Sequence, residues 1–102
     1  MENLYTADYI KEKLEPVFSG TPVKKATLFG SYAKGNQSKT SDVDILIDSG
    51  GEIRGIDFFG VLEDITSALD ISVDLIETSQ IIDGGKIQRE ISETGVVIYE
   101  RA

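Results

Sequence analysis

The stretch GSYAKG at residues 30–35, followed by SDVDILI at residues 41–47, decides the fold. The first segment is typical of a small-residue turn that opens a short helix, and the second of a strand with two carboxylates. Residues two apart on a strand point to the same face, so Asp42 and Asp44 are predicted to lie side by side, with the apolar residues facing the other way. Two adjacent acids beside a core repel each other and are costly to desolvate unless a cation lies between them. The pattern predicts a divalent metal site, and the Gly-Ser turn predicts that the metal carries phosphates.

Length and composition predict one domain over residues 1–102. Hydrophobic residues make up 40% and charged residues 27%, which is ordinary for a globular protein. No apolar stretch approaches the roughly 18 residues of a membrane span and no signal-peptide pattern occurs, so we expect no membrane span and no export.

The chain has no cysteine and no histidine, which excludes several kinds of chemistry. Disulfides, thiolate nucleophiles, Ser-His triads and His-ligated zinc are all ruled out. A general base must therefore be a carboxylate, a lysine or a tyrosine. Because cysteine is absent and no export is indicated, a cytoplasmic location is expected.

The net charge of −8 is unevenly distributed. Residues 1–41 carry +2, from 6 lysines and 4 acids, whereas residues 42–102 carry −10, from 4 basic residues and 14 acids. This balance argues against general nucleic-acid binding, which needs a basic surface. It leaves two interpretations open, a solubilising acidic surface or a site for a basic protein partner.

Hydrophobic periodicity and turn residues predict an α+β fold, a mixed sheet of about four strands flanked by helices. The predicted elements are a helix over 7–18 with Thr6 as N-cap, strand 23–29, a short helix after residue 30, strand 43–47, helix 56–69, strand 72–77, helix 86–93 and strand 96–99. Pro16 is expected to kink or end the first helix. Residues 35–40 are predicted to be a loop and residues 83–85 a turn.

The sequence also predicts which side of the helix over 56–69 faces the core and which residue caps the helix over 86–93. The residues Phe58, Leu62, Ile65 and Leu69 recur at helical spacing and are predicted to face the core, whereas Phe59 lies off this stripe and is a candidate for partner contact. Gly95 is well placed to cap the helix that precedes it.

A third acid, Asp74, lies in the otherwise apolar segment SVDLI at residues 72–76. If this strand pairs with the strand that carries Asp42 and Asp44, three carboxylates converge on one face. A site with only oxygen ligands favours Mg²⁺ or Mn²⁺. In two-metal phosphoryl-transfer sites one ion carries the triphosphate and the other activates the attacking hydroxyl, so Asp74 is expected to hold the second ion or to accept the proton.

The Gly30–Ser31 turn supplies the complementary part of this predicted site. Gly30 allows the backbone to approach a phosphate closely, and Ser31 offers a hydroxyl and an N–H group. Lys34 could reach a phosphate, although a solvated surface position is an equally good interpretation. Two rival motifs fail: residue 36 is Asn where a P-loop needs Lys, and Leu46 and Ile47 break an EF-hand pattern.

These residues resemble the DNA polymerase beta-type nucleotidyltransferase superfamily, in which a Gly-Ser turn precedes an Asp-x-Asp pair and a third Asp lies on a later strand. The segments IDFFG at 56–60, VDLI at 73–76 and VVIYE at 96–100 further resemble its minimal nucleotidyltransferase (MNT) group. The resemblance covers about residues 20–100.

The resemblance implies transfer of a nucleoside monophosphate, expected to be AMP from ATP, with release of pyrophosphate. Gly30 and Ser31 would bind the triphosphate, with Lys34 less certain in this role; Asp42 and Asp44 would hold both metals, and Asp74 would hold the second and activate the acceptor. Larger relatives have a second domain, and from this sequence we expect no counterpart of it. Minimal members are commonly paired with a HEPN-type helical toxin, which implies an antitoxin that adenylylates a protein.

Two alternatives to this enzyme stay open from the sequence. The chain could be a binding module that masks its partner sterically without transfer, or it could modify a small molecule, as antibiotic-modifying relatives do. Three converging acids favour the enzyme, because masking alone requires no such cluster. The preferred base, the acceptor, the oligomeric state and the activity of the isolated chain have no determinant that we identify in the sequence.

Overall fold

Helices and strands alternate along the chain in the predicted order. The computed structural model describes residues 5–37, 41–81 and 84–101. Its elements are α1 (Ala7–Ser19), β1 (Lys25–Phe29), α2 (Ser31–Lys34), β2 (Val43–Asp48), α3 (Ile56–Leu69), β3 (Val73–Glu77), a 3₁₀ turn (Thr78–Gln80), α4 (Lys86–Thr94) and β4 (Val96–Glu100). The predicted loop over 35–40 and the predicted turn over 83–85 lie partly outside the described residues.

The four strands form one mixed sheet in the order β3-β2-β1-β4. β1 runs antiparallel to β2 and to β4, whereas β2 and β3 are parallel. A parallel pair needs a crossover connection, and α3 provides it between β2 and β3. The predicted α+β architecture, a mixed sheet with flanking helices, is confirmed.

One hydrophobic core lies between the sheet and the helices α1 and α3. α1 contributes Ile10, Leu14 and Phe18, each fully buried, because they recur on one face at helical spacing. β2 contributes Val43, Ile45 and Ile47, which are also fully buried, so the alternation predicted for this strand is correct. No helix in the described ranges combines the length and the apolar content that crossing a bilayer requires.

Several predicted boundaries need correction. α1 does not end at Pro16 but continues to Ser19 with Pro16 inside it. Pro16 is exposed, so the carbonyl that loses its helical donor can be hydrated. β1 begins at Lys25 rather than Val23, since the Val23 N–H donates to Thr21 Oγ1 instead of to a neighbouring strand.

The predicted caps are present. Thr6 Oγ1 accepts a hydrogen bond of 3.1 Å from the Tyr9 N–H and so caps α1. Gly95 caps α4, but its φ is −65° rather than left-handed. Glycine suits this position because an added Cβ would lie 2.5 Å from Ile91 O and 3.0 Å from Thr27 Cγ2.

The buried face of α3 is rotated slightly from the predicted one. Val61, Ile65 and Leu69 are the buried residues, whereas Phe58 and Leu62 are partly buried and pack at the border of the core. The helix therefore presents its first turn to solvent, where Ile56 is 88% and Phe59 is 67% exposed.

Candidate active site

The turn after β1 brings the backbone of Gly30 against the side chain of Asp44. Gly30 has φ +75°, a left-handed conformation that favours glycine, and it precedes the single helical turn α2. A Cβ added at Gly30 would overlap Asp44 Oδ2 and would lie 3.2 Å from Asp44 Cγ. Position 30 therefore has no room for a side chain while the Asp44 carboxylate occupies this place.

Sheet pairing places Asp74 beside Asp44. The two residues are register partners in the parallel β2–β3 pair, and Phe29 is the partner of Asp44 on β1. Neighbouring strands lie about 4.8 Å apart, and register partners point to the same face of the sheet. The condition set on Asp74 from the sequence, that its strand pairs with β2, is thus met.

Asp42 lies just before β2 and is exposed. Its charge raises the pKa of Asp44, so the two carboxylates are close enough to interact electrostatically. In the described parts of the chain, however, no group of three such side chains is arranged to hold a metal ion as it stands. The structure brings Asp42, Asp44 and Asp74 to one region, but their carboxylates are not arranged as ligands of one ion.

Asp44 carries the clearest electrostatic signature of the site. Burial, followed by the charges of Asp74, Asp42 and Glu90, raises the pKa of Asp44 from 3.8 to about 6. A carboxylate that is desolvated among other acids is costly, and a bound cation would relieve this cost. The donor set consists of carboxylate oxygens, which suits Mg²⁺ or Mn²⁺.

The sequence did not reveal a fourth acid, Glu90, near this site. Lys34 Nζ forms an ion pair of 3.4 Å with Glu90 Oε1, which joins α2 to α4. Both side chains are partly exposed, so the pair contributes little stability. Glu90 is 56 residues away from Lys34 along the chain, and only the folded sheet brings the two together.

Tyr32 on α2 is a second residue near the site that the sequence pattern does not single out. It is 5% exposed, and burial together with the charge of Asp42 raises the pKa of its hydroxyl. Tyr32 therefore stays protonated near neutral pH and packs α2 onto the core. Ser31, the first residue of α2, is half-buried, and its carbonyl accepts a hydrogen bond from the Gly35 N–H.

The family model described as "Polymerase beta, Nucleotidyltransferase" matches residues 12–102. The chain belongs to this family. The predicted nucleotidyltransferase, and the resemblance to its minimal group, are confirmed.

Relatives in the polymerase beta nucleotidyltransferase family agree with this assignment. A Methanocaldococcus jannaschii protein, provisionally named a protein adenylyltransferase, is 35% identical over 72 residues, which cover 71% of this chain and 77% of the relative. The protein adenylyltransferase MntA of Shewanella oneidensis is 38% identical over 50 residues, which cover 49% of this chain and 36% of MntA.

Solved structures share the nucleotidyltransferase fold. A toxin–antitoxin structure with AMP-PNP superposes with a TM-score of 0.75 at 22% identity, covering 89% of this chain and 73% of the other. A complex of a tri-AMPylated Shewanella oneidensis HEPN toxin with an MNT antitoxin gives a TM-score of 0.70 at 18% identity, covering 94% and 74%. At these identities the likeness establishes the fold alone.

Proposed function

We propose that this nucleotidyltransferase is a Mg²⁺-dependent protein adenylyltransferase that moves AMP from ATP to a hydroxyl group of a protein. The observation that carries the proposal is the register pairing of Asp44 with Asp74 beside the side-chain-free face of Gly30. Acids and a glycine turn at one end of a sheet suit a metal-bound triphosphate.

Each residue of the site has a role in this proposal. Asp42, Asp44 and Asp74 would hold Mg²⁺, which supplies charge neutralisation of the phosphates when bound. Gly30 and Ser31 would bind the triphosphate. The acceptor oxygen bonds to the α-phosphorus, the bond to the β-phosphate oxygen breaks, and pyrophosphate leaves. Asp74 would accept the proton that the hydroxyl releases.

Lys34 has a conditional role. Its partner Glu90 also contributes negative charge near Asp44. Because the Lys34–Glu90 pair is partly exposed, exchanging it for a phosphate costs little. Lys34 would then add a positive charge to the triphosphate site.

The proposed partner and acceptor is a HEPN-type toxin, which makes this chain an antitoxin. Support comes from relatives named as protein adenylyltransferases and from the solved complex of an MNT antitoxin with a tri-AMPylated HEPN toxin. The acidic charge of residues 42–102 suits a basic partner.

The test is incubation of the chain with Mg²⁺, α-labelled ATP and lysate of its source cell. Wild type should label one protein, and Asp44→Asn should lower labelling at least about 10²-fold. Asp48→Asn is the matched control, because Asp48 lies on the same strand and its Oδ1 accepts from the Gly50 N–H, as an amide oxygen also can. Equal labelling by wild type and Asp44→Asn would contradict the proposal.

A second candidate function is steric masking of the partner without AMP transfer. The exposed side chains of Ile56 and Phe59 favour it, since they offer a contact surface independent of the acids. The two functions separate in a toxin-neutralisation assay. An Asp44→Asn variant that still binds should lose neutralisation if AMP transfer is required and keep it if masking suffices.

A further inference from the structure

The first turn of α3 exposes two large apolar side chains at the end of the sheet opposite the acids. Ile56 is 88% and Phe59 is 67% exposed, and we call this pair the α3 ridge. Exposed apolar residues next to each other on a helix are more informative than scattered ones, because they offer a contiguous surface to a partner.

A groove lies on each side of the α3 ridge. The first, of about 450 Å³, runs between α3 and the turn at Gly20–Pro22 and is floored by Ile53 and Val61. The second, of about 230 Å³, runs between Phe58 and the 3₁₀ turn. Gly60 lines the first groove, and a Cβ added there would meet nothing within 4 Å. A ridge between two grooves can interdigitate with side chains of a second protein.

The position of the α3 ridge separates it from the site of transfer. β2 runs from Asp44, beside Asp74, to Asp48, which pairs with Lys25 at the other end of the sheet. This separation is about 13 Å along the strand. The grooves lie at the Asp48 end, since Glu77 and Pro22 line them. Changes on the ridge therefore leave the acids in place.

The charge around the first groove indicates what covers it. α3 carries Asp57, Glu63 and Asp64, all exposed, and no basic residue. Asp57 and Asp64 line the first groove, whereas Arg54 lines the second. A second copy of this chain is a poor occupant, because a two-fold contact through α3 would bring like charges together. A basic segment with apolar anchors is complementary to the groove.

We infer that the α3 ridge and its first groove are the docking surface for the protein acceptor, through an apolar segment flanked by Lys or Arg. This inference rests on the proposed function in one respect: it takes the protein that docks here to be the acceptor of AMP. The acceptor is then held at one end of the sheet and modified at the other, so docking and AMP transfer use separate residues.

A defined peptide tests the surface without knowledge of the acceptor. The probe is a helical peptide of about 18 residues with a leucine face and a lysine face, and its control replaces lysine by glutamate. Amide chemical-shift changes on titration should concentrate in residues 20–22 and 53–64, which line the first groove and carry the ridge. Ile56→Ser/Phe59→Ser should weaken binding at least about tenfold. Val97→Ser, which removes another exposed apolar side chain, should not.

A second pair of variants tests the charge. Asp57→Asn/Asp64→Asn should weaken binding and flatten its salt dependence, whereas Glu12→Gln/Glu93→Gln removes the same charge from exposed positions on α1 and α4 and should leave both unchanged. Shift changes confined to residues outside 20–22 and 53–64, equal binding by the ridge variant, or self-association through α3 would overturn the inference.

AMP transfer separates this inference from the proposed function. The ridge variant should label the acceptor at least about tenfold more slowly while its affinity for AMP-PNP stays that of wild type. Unchanged labelling would refute docking at the ridge and leave the transfer activity standing. Absence of labelling by wild type would refute the proposed function. The peptide titration would still show whether the α3 ridge is a docking surface.

Discussion

At the scale of single residues, Gly30 and Asp44 depend on each other. Gly30 combines a left-handed φ with a neighbour, the Asp44 carboxylate, that excludes a Cβ. Gly35 has nearly the same φ, +77°, but nothing lies within 4 Å of an added Cβ. The two glycines also differ in ψ, which is −153° at Gly30 and 15° at Gly35, so Gly30 lies in a backbone region that essentially only glycine adopts.

We expect Gly30→Ala to be more harmful than Gly35→Ala. The strain of a left-handed alanine costs about 1 kcal/mol at position 35, and it is larger at position 30, where ψ is −153°. Only at position 30 must the Asp44 carboxylate also move, so this variant should lose about 1–3 kcal/mol more and its labelling activity. Urea unfolding of both variants measures the difference, and equal losses would contradict both the greater strain and the steric exclusion at position 30.

The raised pKa of Asp44 predicts how the stability of the protein depends on pH when a chelator has removed divalent metal ions. Between pH 3.8 and about 6 the folded protein holds a proton on Asp44 that the unfolded chain has released. The stability that Asp44 contributes therefore falls as pH rises through this window. Asn stays neutral, so Asp44→Asn should be more stable than wild type at about pH 7.5 and should lose this advantage near about pH 4.

Thermal unfolding with and without Mg²⁺ tests whether the ion binds at Asp44. Mg²⁺ should raise the melting temperature of wild type, because a ligand that binds only the folded state stabilises it. It should raise that of Asp44→Asn less. An equal rise in both proteins would place the ion elsewhere.

At the scale of elements, a buried carboxylate joins β3 to the loop before α3. Glu77 is 2% exposed and accepts hydrogen bonds from the Ser49 hydroxyl at 2.8 Å and from the Ser79 N–H at 2.7 Å. Ser49 Oγ in turn accepts from the Ile53 N–H at 3.0 Å. Burial alone would raise the pKa of Glu77, but the bonds from Ser79 and Ser49 outweigh it and lower the pKa to about 2.

We expect Glu77→Gln to lower the free energy of unfolding by about 1.5–3 kcal/mol, because an amide NH₂ would face donors. Since the pKa falls from 4.5 to about 2, the stability from Glu77 is present above pH 4.5 and is lost as pH falls toward 2. Glu52→Gln, at an exposed position, should change little. An equal effect of the two substitutions would contradict the network.

The elements also show what the sequence could predict. The order of helices and strands, the Thr6 cap and the inward side of β2 follow from periods and turn residues, and these were predicted correctly. The proximity of Glu90 to Lys34 and the burial of Glu77 depend on which strands pair, which local patterns do not encode. Pro16 does not end α1, because the cost of a proline inside a helix depends on whether that face of the helix is hydrated.

At the scale of the whole molecule, Arg101, which follows β4, binds the C-terminal end of α1. Arg101 donates from Nη2 to the carbonyls of Phe18, Ser19 and Thr21, at 3.3, 3.3 and 2.9 Å, and so caps the end of α1. α1 has no basic residue in its own last turn, so Arg101 supplies that charge from β4's end.

We expect Arg101→Ala to lower the free energy of unfolding by about 1–2 kcal/mol, since several carbonyls lose one charged donor. Arg89→Ala, on an exposed face of α4, is the control. Hydrogen exchange should speed up at the end of α1 in Arg101→Ala only. Unchanged exchange there would mean that water replaces the guanidinium without loss.

The two ends of the sheet have a consequence for how such a protein can diversify. The residues proposed for chemistry lie where β1 ends and β2 and β3 begin, and the exposed turn of α3 lies at the other end. Under the proposed function and docking surface, a duplicated gene could therefore change its target by altering residues 53–64 while keeping its reaction. An engineer could likewise exchange that segment between paralogues and redirect the modification to a new protein.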